Sequence, residues 1–195
     1  MENIEYKLGK KFYDYKSQIL RWIQFFDNDS VTKNKKILDY GTGPGWAIFV
    51  GRYLGYDIVG LDMYDHFSYG APLMNKLRKV LQVTDYTILY DTKNFPFEDN
   101  FFDIIICKAV LDKNYKNKKE TELELKRTLK DSGIIYVSPE RHLKHIPTID
   151  KKNKKILNIG IKNIENRYKD KYNFLCKMCR QYFLDGGLYL NESYR

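Results

Sequence analysis

The chain has 195 residues, 43% apolar and 15% aromatic, with a formal net charge of +9. That size and composition suit a single domain (1–195) with its own buried core and exclude a disordered chain. No run of eighteen apolar residues occurs and the opening MENIEYKLGKKFYDYK is charged throughout, so neither a membrane span nor a secretory signal is predicted.

In chain order, residues 5–27 read as an amphipathic helix with Ile19, Trp22, Ile23 and Phe26 on one face. The polar break DNDSVTKNKK is followed by a short apolar strand, KKILDYG, and then by the helix GWAIFVGRYLG, closed by Gly55. YDIVGLD is a second strand. APLMNKLRKVLQ is a helix, with Pro72 tolerated in its first turn. DYTILYD and FFDIIICKAVL are a third and a fourth strand. ETELELKRTLK is a helix that offers Leu123, Leu125 and Leu129 for burial, and SGIIYVSPE is a fifth strand. KKILNIGIKNI and YNFLCKMCRQYFL are expected to add two more strands as an antiparallel edge pair. Under that reading Cys176 and Cys179 face opposite ways.

Strands alternating with helices predict an α/β fold with a doubly wound, mostly parallel sheet of about seven strands. Ile104, Ile105 and Ile106 run without alternation, as a strand covered on both faces requires. Three cysteines, Cys107, Cys176 and Cys179, are too sparse for a disulfide framework and point to the cytoplasm. No metal site is expected, because a structural zinc ion takes four Cys or His ligands.

The chemistry concentrates in Asp39-Tyr-Gly41-Thr-Gly43-Pro-Gly45-Trp46, between the first strand and the helix after it. Its glycines allow a tight turn and close approach of a ligand to the backbone. The following helix offers free N–H groups to an anion, and ligands of parallel sheets sit at this end of the strands. A dinucleotide fingerprint needs a third glycine where Trp46 stands, so a pyrophosphate is disfavoured. Trp46 either walls the ligand site or packs into the core.

This D-x-G-x-G-x-G segment resembles the first motif of class I S-adenosylmethionine-dependent methyltransferases, and the resemblance continues downstream. DIVGLD ends on Asp62, in the place of the acid that accepts both ribose hydroxyls, followed by Met63 beside the adenine. LYDTKNFPFEDNFFDIIICKAVL resembles the acid, Phe-Pro-Phe, acidic turn and Phe-Asp pattern of the methyltransferase type 11 group. Asp91 stands there near the adenine amino group, and Asp103 is structural. ELKRTLKDSGIIYVS resembles E-x-x-R-x-L-K-x-G-G, with Ser132 in place of the first of its final glycines. The resemblance covers residues 35–138, the cofactor-binding core. It implies a Rossmann-like methyltransferase fold with an N-terminal helical segment (1–30) and an acceptor-side and sheet-edge segment (139–195). It implies S-adenosylmethionine as cofactor, held by Asp39, Gly41, Thr42, Gly43, Gly45, Asp62, Met63, Asp91, Thr92 and Lys108. Replacing Asp62 by alanine is then expected to weaken cofactor binding by about 1–3 kcal/mol and to leave folding nearly unchanged.

Many relatives carry V-L-x-H after the fourth strand. Here Val110-Leu-Asp-Lys113-Asn114 has no histidine, so that base cannot be carried over. His142 is the candidate catalytic base, with His66 and His145 as further candidates and Tyr6, Tyr13 and Tyr15 as possible pocket lining. Residues 151–195 hold eleven Lys and Arg against four acids, so +7 of the +9 is local. The run Lys151, Lys152, Lys154 and Lys155 is therefore expected at the acceptor end, where it would attract an anion.

The leading functional reading is methyl transfer to oxygen or nitrogen of a small molecule, such as a sugar or other anionic metabolite. Two alternatives stand beside it: an RNA or other nucleic-acid methyltransferase, and a non-catalytic cofactor-binding partner subunit. An N-P-P-[YF] motif is absent after the fourth strand, where Cys107-Lys-Ala-Val stands, which disfavours methylation of a base amino group.

Overall fold

The computed structural model describes residues 15–63, 71–90, 94–111, 118–156 and 166–186. Its elements in chain order are α1 (Tyr15–Phe26), β1 (Lys36–Tyr40), α2 (Trp46–Tyr53), β2 (Asp57–Met63), α3 (Ala71–Val80), β3 (Thr87–Tyr90), β4 (Phe102–Lys108), α4 (Lys118–Thr128), β5 (Leu129–Ser138), β6 (Lys154–Ile156) and α5 (Lys169–Asp185). Short 3-10 turns fill Thr84–Tyr86, Glu140–His145, Lys151–Asn153 and Asn166–Tyr168.

Among the described residues the sheet has six strands in the order β3-β2-β1-β4-β5-β6, and every pairing is parallel. The order reverses between β1 and β4. The chain winds outward from β1 through β2 and β3, then returns to the other side of β1. That reversal opens a crevice at the C-terminal ends of β1 and β4, because the crossover helices leave in opposite directions there.

Both faces of the sheet are covered. Ile104 and Ile106 join a cluster with Ile37, Ile58 and the apolar sides of α1, α2 and α5. Ile105, between them in sequence, points to the other layer with Leu38, Leu61 and Leu125 of α4. All three isoleucines are fully buried, which explains why the strand carries no polar alternation. The face of α1 read from periodicity is the buried one: Ile19, Trp22, Ile23 and Phe26 all lie in the core.

The C-terminal region corrects the predicted antiparallel pair. β6 pairs with β5 in parallel, and YNFLCKMCRQYFL lies within the 17-residue helix α5. Its apolar residues suit either period locally. Packing decides, because Leu175, Cys179 and Phe183 fall at i, i+4 and i+8 and bury one stripe against the α1 and α2 layer. Cys176 and Cys179, three residues apart on a helix, therefore lie on neighbouring faces rather than opposite ones. Two further details differ. Leu123 points outward at 49% exposure, while Leu125 is buried. Leu129 is buried as the first residue of β5, which starts three residues earlier than its sequence signal.

The E-x-x-R segment has a structural task. Arg127 donates to the carbonyls of Phe95 and Phe97 and to Asp99, and Glu124 accepts from the Phe95 amide. The Glu124–Arg127 pair on one turn of α4 thus clamps the segment leading into β4.

Candidate functional site

β1 ends in the crevice with Asp39 and Tyr40, and the chain then turns sharply at Gly41. Gly41 has φ +70° and its amide donates to the Leu61 carbonyl of β2 at 2.7 Å. An added Cβ there would lie 2.0 Å from a Val110 methyl, so this turn admits only glycine. Gly45, at φ +88°, starts α2 and accepts the Phe49 amide at 2.9 Å.

Asp39 is buried at 4% exposure and accepts from the Thr42 hydroxyl at 2.6 Å. Burial raises its pKa to about 6, opposed by the Thr42 bond and by the positive charge of Lys108, with Asp62 adding to the rise. The folded value lies above the ordinary 3.8, so the folded chain binds more protons than the unfolded chain between about pH 4 and pH 6. Stability therefore falls as pH rises through that window. Above it, the ionised carboxylate costs about 3 kcal/mol at 1.36 kcal/mol per pKa unit. Asp39→Asn is expected to raise the unfolding free energy by about 1–3 kcal/mol near pH 8 and by almost nothing near pH 4. Urea unfolding at both pH values measures this. An equal effect at the two would show that the carboxylate is not strained by burial.

Asp62 ends β2 beside the glycine loop. Its Oδ2 accepts the Gly43 amide at 3.0 Å and its Oδ1 the Met63 amide at 2.9 Å. The same Oδ2 accepts Arg78 Nη2 at 2.5 Å, while Arg78 Nε donates to the Gly43 carbonyl at 2.7 Å. Arg78 is only 5% exposed. Burial pulls its pKa down and Asp62 pushes it back up. Arg78, Asp62 and Gly43 thus form a closed clamp that sets the loop against β2. A ribose diol bound there would share the carboxylate with this guanidinium. Asp62 is accordingly part of the fold, against the expectation that its loss spares folding. The sequence reading missed Arg78. Its signal was a cation at helical spacing from Met74 of α3 and from the buried Leu81 just beyond the end of that helix.

Lys108 ends β4, directly across the crevice from the end of β1, where Tyr40 pairs with Cys107. Its Nζ reaches Gln18 Oε1 at 3.4 Å and lies 5.4 Å from the Trp22 ring, both on α1. Burial and, after it, the charge of Arg21 lower its pKa to about 8 against the opposing charge of Asp39.

The structure thus brings together Asp39, Gly41, Thr42, Gly43, Gly45, Asp62, Met63 and Lys108. Asp91, Thr92, His66, Tyr6 and Tyr13 lie outside the described residues, as does the side chain of His145. His142 sits in the 3-10 turn after β5 with its imidazole buried at 2% exposure. Trp46 settles as core packing, stacked on Phe183 of α5 at 6.1 Å. The lysine run departs from its expected place. Lys151 and Lys152 precede β6, and β6 runs parallel to β5, so they lie at the N-terminal edge of the sheet, away from the glycine loop. A cavity of about 390 Å³ on that edge is lined by both signs of charge, Lys126, Lys130 and Lys152 with Asp131 and Asp150. Among the described residues no helix is long and apolar enough to cross a membrane, and no cluster of three or more His, Cys, Asp or Glu could hold a metal ion.

Several known proteins are similar to this chain. The ribosomal protein L11 methyltransferase of Fusobacterium nucleatum is 29% identical over 106 residues, which are 54% of this chain and 32% of that protein. The chain thus spans about a third of the length of that curated relative. Among solved structures, a Methanococcus maripaludis protein provisionally assigned as an S-adenosylmethionine-dependent methyltransferase matches 90% of this chain and 81% of its own, with TM-score 0.48 and 15% identity. The glycopeptide N-methyltransferase MtfA, complexed with sinefungin, matches 60% of this chain and 51% of its own, with TM-score 0.44 and 14% identity. A family model described as a methyltransferase domain matches residues 31–178, which takes in every described strand and the clamped glycine loop, and the chain belongs to the class I S-adenosylmethionine-dependent methyltransferases.

Proposed function

We propose that this methyltransferase acts on oxygen or nitrogen of a small-molecule acceptor that carries an anionic group, bound over the C-terminal end of β4. One observation carries the reading: α1 lies across that end of β4, with Gln18 and Trp22 against Lys108. A position walled by a helix and lined by a cation suits a compact anionic acceptor. The cofactor side is formed by Asp39, the turn from Gly41 to Gly45, and Asp62 with Met63. When bound, S-adenosylmethionine supplies an electrophilic methyl group on sulfur. The protein's share is to align acceptor and methyl carbon and to keep water out, which can supply much of the rate.

The nucleic-acid reading loses support, because Lys151 and Lys152, the first half of the lysine run, sit at the N-terminal edge of the sheet, away from the glycine loop. Protein methylation is the second reading, favoured by the similarity to the ribosomal protein L11 methyltransferase of Fusobacterium nucleatum. Calorimetric titration should show binding of S-adenosylmethionine and S-adenosylhomocysteine and none of NAD. Labelled methyl transfer should then appear with carboxylated or phosphorylated small molecules and not with RNA or ribosomal protein. Labelling of ribosomal protein alone would replace the proposal with the second reading.

A further inference from the structure

We infer that Arg21 and Lys108 form an oxyanion-binding pair that takes a carboxylate or phosphate of the methyl acceptor; this rests on the cofactor reading above. The two cations come from α1 and from the end of β4, far apart in sequence. Gln18 and Trp22 of α1 meet Lys108 at 3.4 Å and 5.4 Å, and Arg21, three residues after Gln18, lies on the same side of that helix. The charge of Arg21 accordingly helps to hold Lys108 below its ordinary value. Bringing two like charges together in a partly desolvated place is unfavourable unless something else is gained.

Neither cation has an ion-pair partner among the described residues. Lys108 reaches only the neutral Gln18 Oε1 at 3.4 Å. Arg21 Nε is buried with no hydrogen-bond partner among them. The carboxylate whose charge acts on Lys108 is Asp39, whose Oδ2 already accepts from Thr42. A guanidinium fork beside an ammonium is the donor set that fits a planar carboxylate or a phosphate, and burial strengthens the resulting charge-assisted bonds. Trp22 adds an apolar wall next to Lys108.

Position separates this pair from the adenosine end of the cofactor. Asp62 and Gly43 lie on the β2 side of β1, whereas Lys108 lies on the β4 side. Methyl transfer needs the acceptor in line with the methyl carbon, and anchoring a remote anionic group is an efficient way to hold that line.

The test uses Trp22 as its own reporter. Trp46→Phe leaves Trp22 as the sole tryptophan. In that background, inorganic phosphate and acetate are titrated at constant ionic strength, with and without saturating S-adenosylhomocysteine. A saturable change in Trp22 fluorescence is expected in the cofactor complex. It should weaken at least tenfold in Arg21→Gln and in Lys108→Gln and vanish in the double variant. Arg21→Lys and Lys108→Arg, which keep the charge, should recover part of the affinity, and thermal unfolding of each variant verifies the fold. No saturable binding in the cofactor complex, or binding indifferent to both neutral substitutions, would overturn the inference. Anion binding abolished by S-adenosylhomocysteine would also overturn it, because the pair would then be holding the amino-acid end of the cofactor. Failure of S-adenosylhomocysteine to bind the unsubstituted protein would instead strike the cofactor-site reading, and phosphate titration of the free protein would still judge the pair.

Discussion

Asp62→Ala is expected to lower the unfolding free energy by about 3–5 kcal/mol, in addition to abolishing tight binding of S-adenosylhomocysteine. The cost arises because the substitution strands a cation. The Arg78 and Asp62 side chains are 6% and 12% exposed, and their nitrogen and oxygen lie 2.5 Å apart. With the carboxylate gone, a nearly buried guanidinium keeps only the Gly43 carbonyl and Asn75 as partners. The Gly43 amide loses its acceptor at the same time. Removing the cation as well should be milder. Asp62→Ala combined with Arg78→Met is expected to recover about 1–3 kcal/mol of the loss, because no unpaired charge is then left in the fold. Denaturant unfolding of the two single variants and the double variant gives the coupling directly. Additive losses would show that the pair is solvated and that the clamp does not hold the loop.

Gly41→Ala should be the most damaging change in the glycine loop, with about 2–4 kcal/mol of stability lost and no measurable cofactor binding. Two independent costs add. A side chain at φ +70° sits in the left-handed region, which costs alanine roughly 1 kcal/mol relative to glycine. The new Cβ would also meet Val110 Cγ1 at 2.0 Å, which forces the segment after β4 away from β1 and costs roughly 1–3 kcal/mol more. Val110→Ala in the same chain removes the 2.0 Å contact and leaves the residue-110 Cβ 2.9 Å from the new one, together with the backbone strain. The double variant should therefore regain part of the lost stability. If Gly41→Ala unfolds at the same denaturant concentration as the unsubstituted protein, the close approach of the two segments is not a constraint.

Much of the fold was legible because it rests on local pattern. A buried parallel strand must be apolar on both faces, so Ile104, Ile105 and Ile106 announce one without any neighbour in view. The glycine segment is equally local, because its turn needs positive φ at fixed positions and only glycine supplies them cheaply. Those two signals sufficed for the parallel core of the sheet and for the loop, while the cofactor followed from the resemblance of the glycine segment and its downstream motifs to class I methyltransferases. The segment 173–183 shows where local pattern stops. Its spacing of apolar residues fits a strand or a helix, and only the stripe available on α1 and α2 selects the helix.

The charged residues divide in the same way. By itself the sequence determined which residue types stand at the strand ends, Asp39, Asp62 and Lys108, because strand length and the glycine turn place them. Which cation meets which anion was decided only by the tertiary structure. Arg78 of α3 reaches Asp62 of β2, just as Gln18 and Trp22 of α1 meet Lys108 of β4, and no periodicity encodes a contact between separate elements. The lysine run at 151–155 makes the same point in reverse. Its charge is plain in the sequence, but the parallel direction of β6 carries its first two lysines to the edge of the sheet away from the crevice. Composition states how much charge the chain carries, and strand direction decides what that charge can reach.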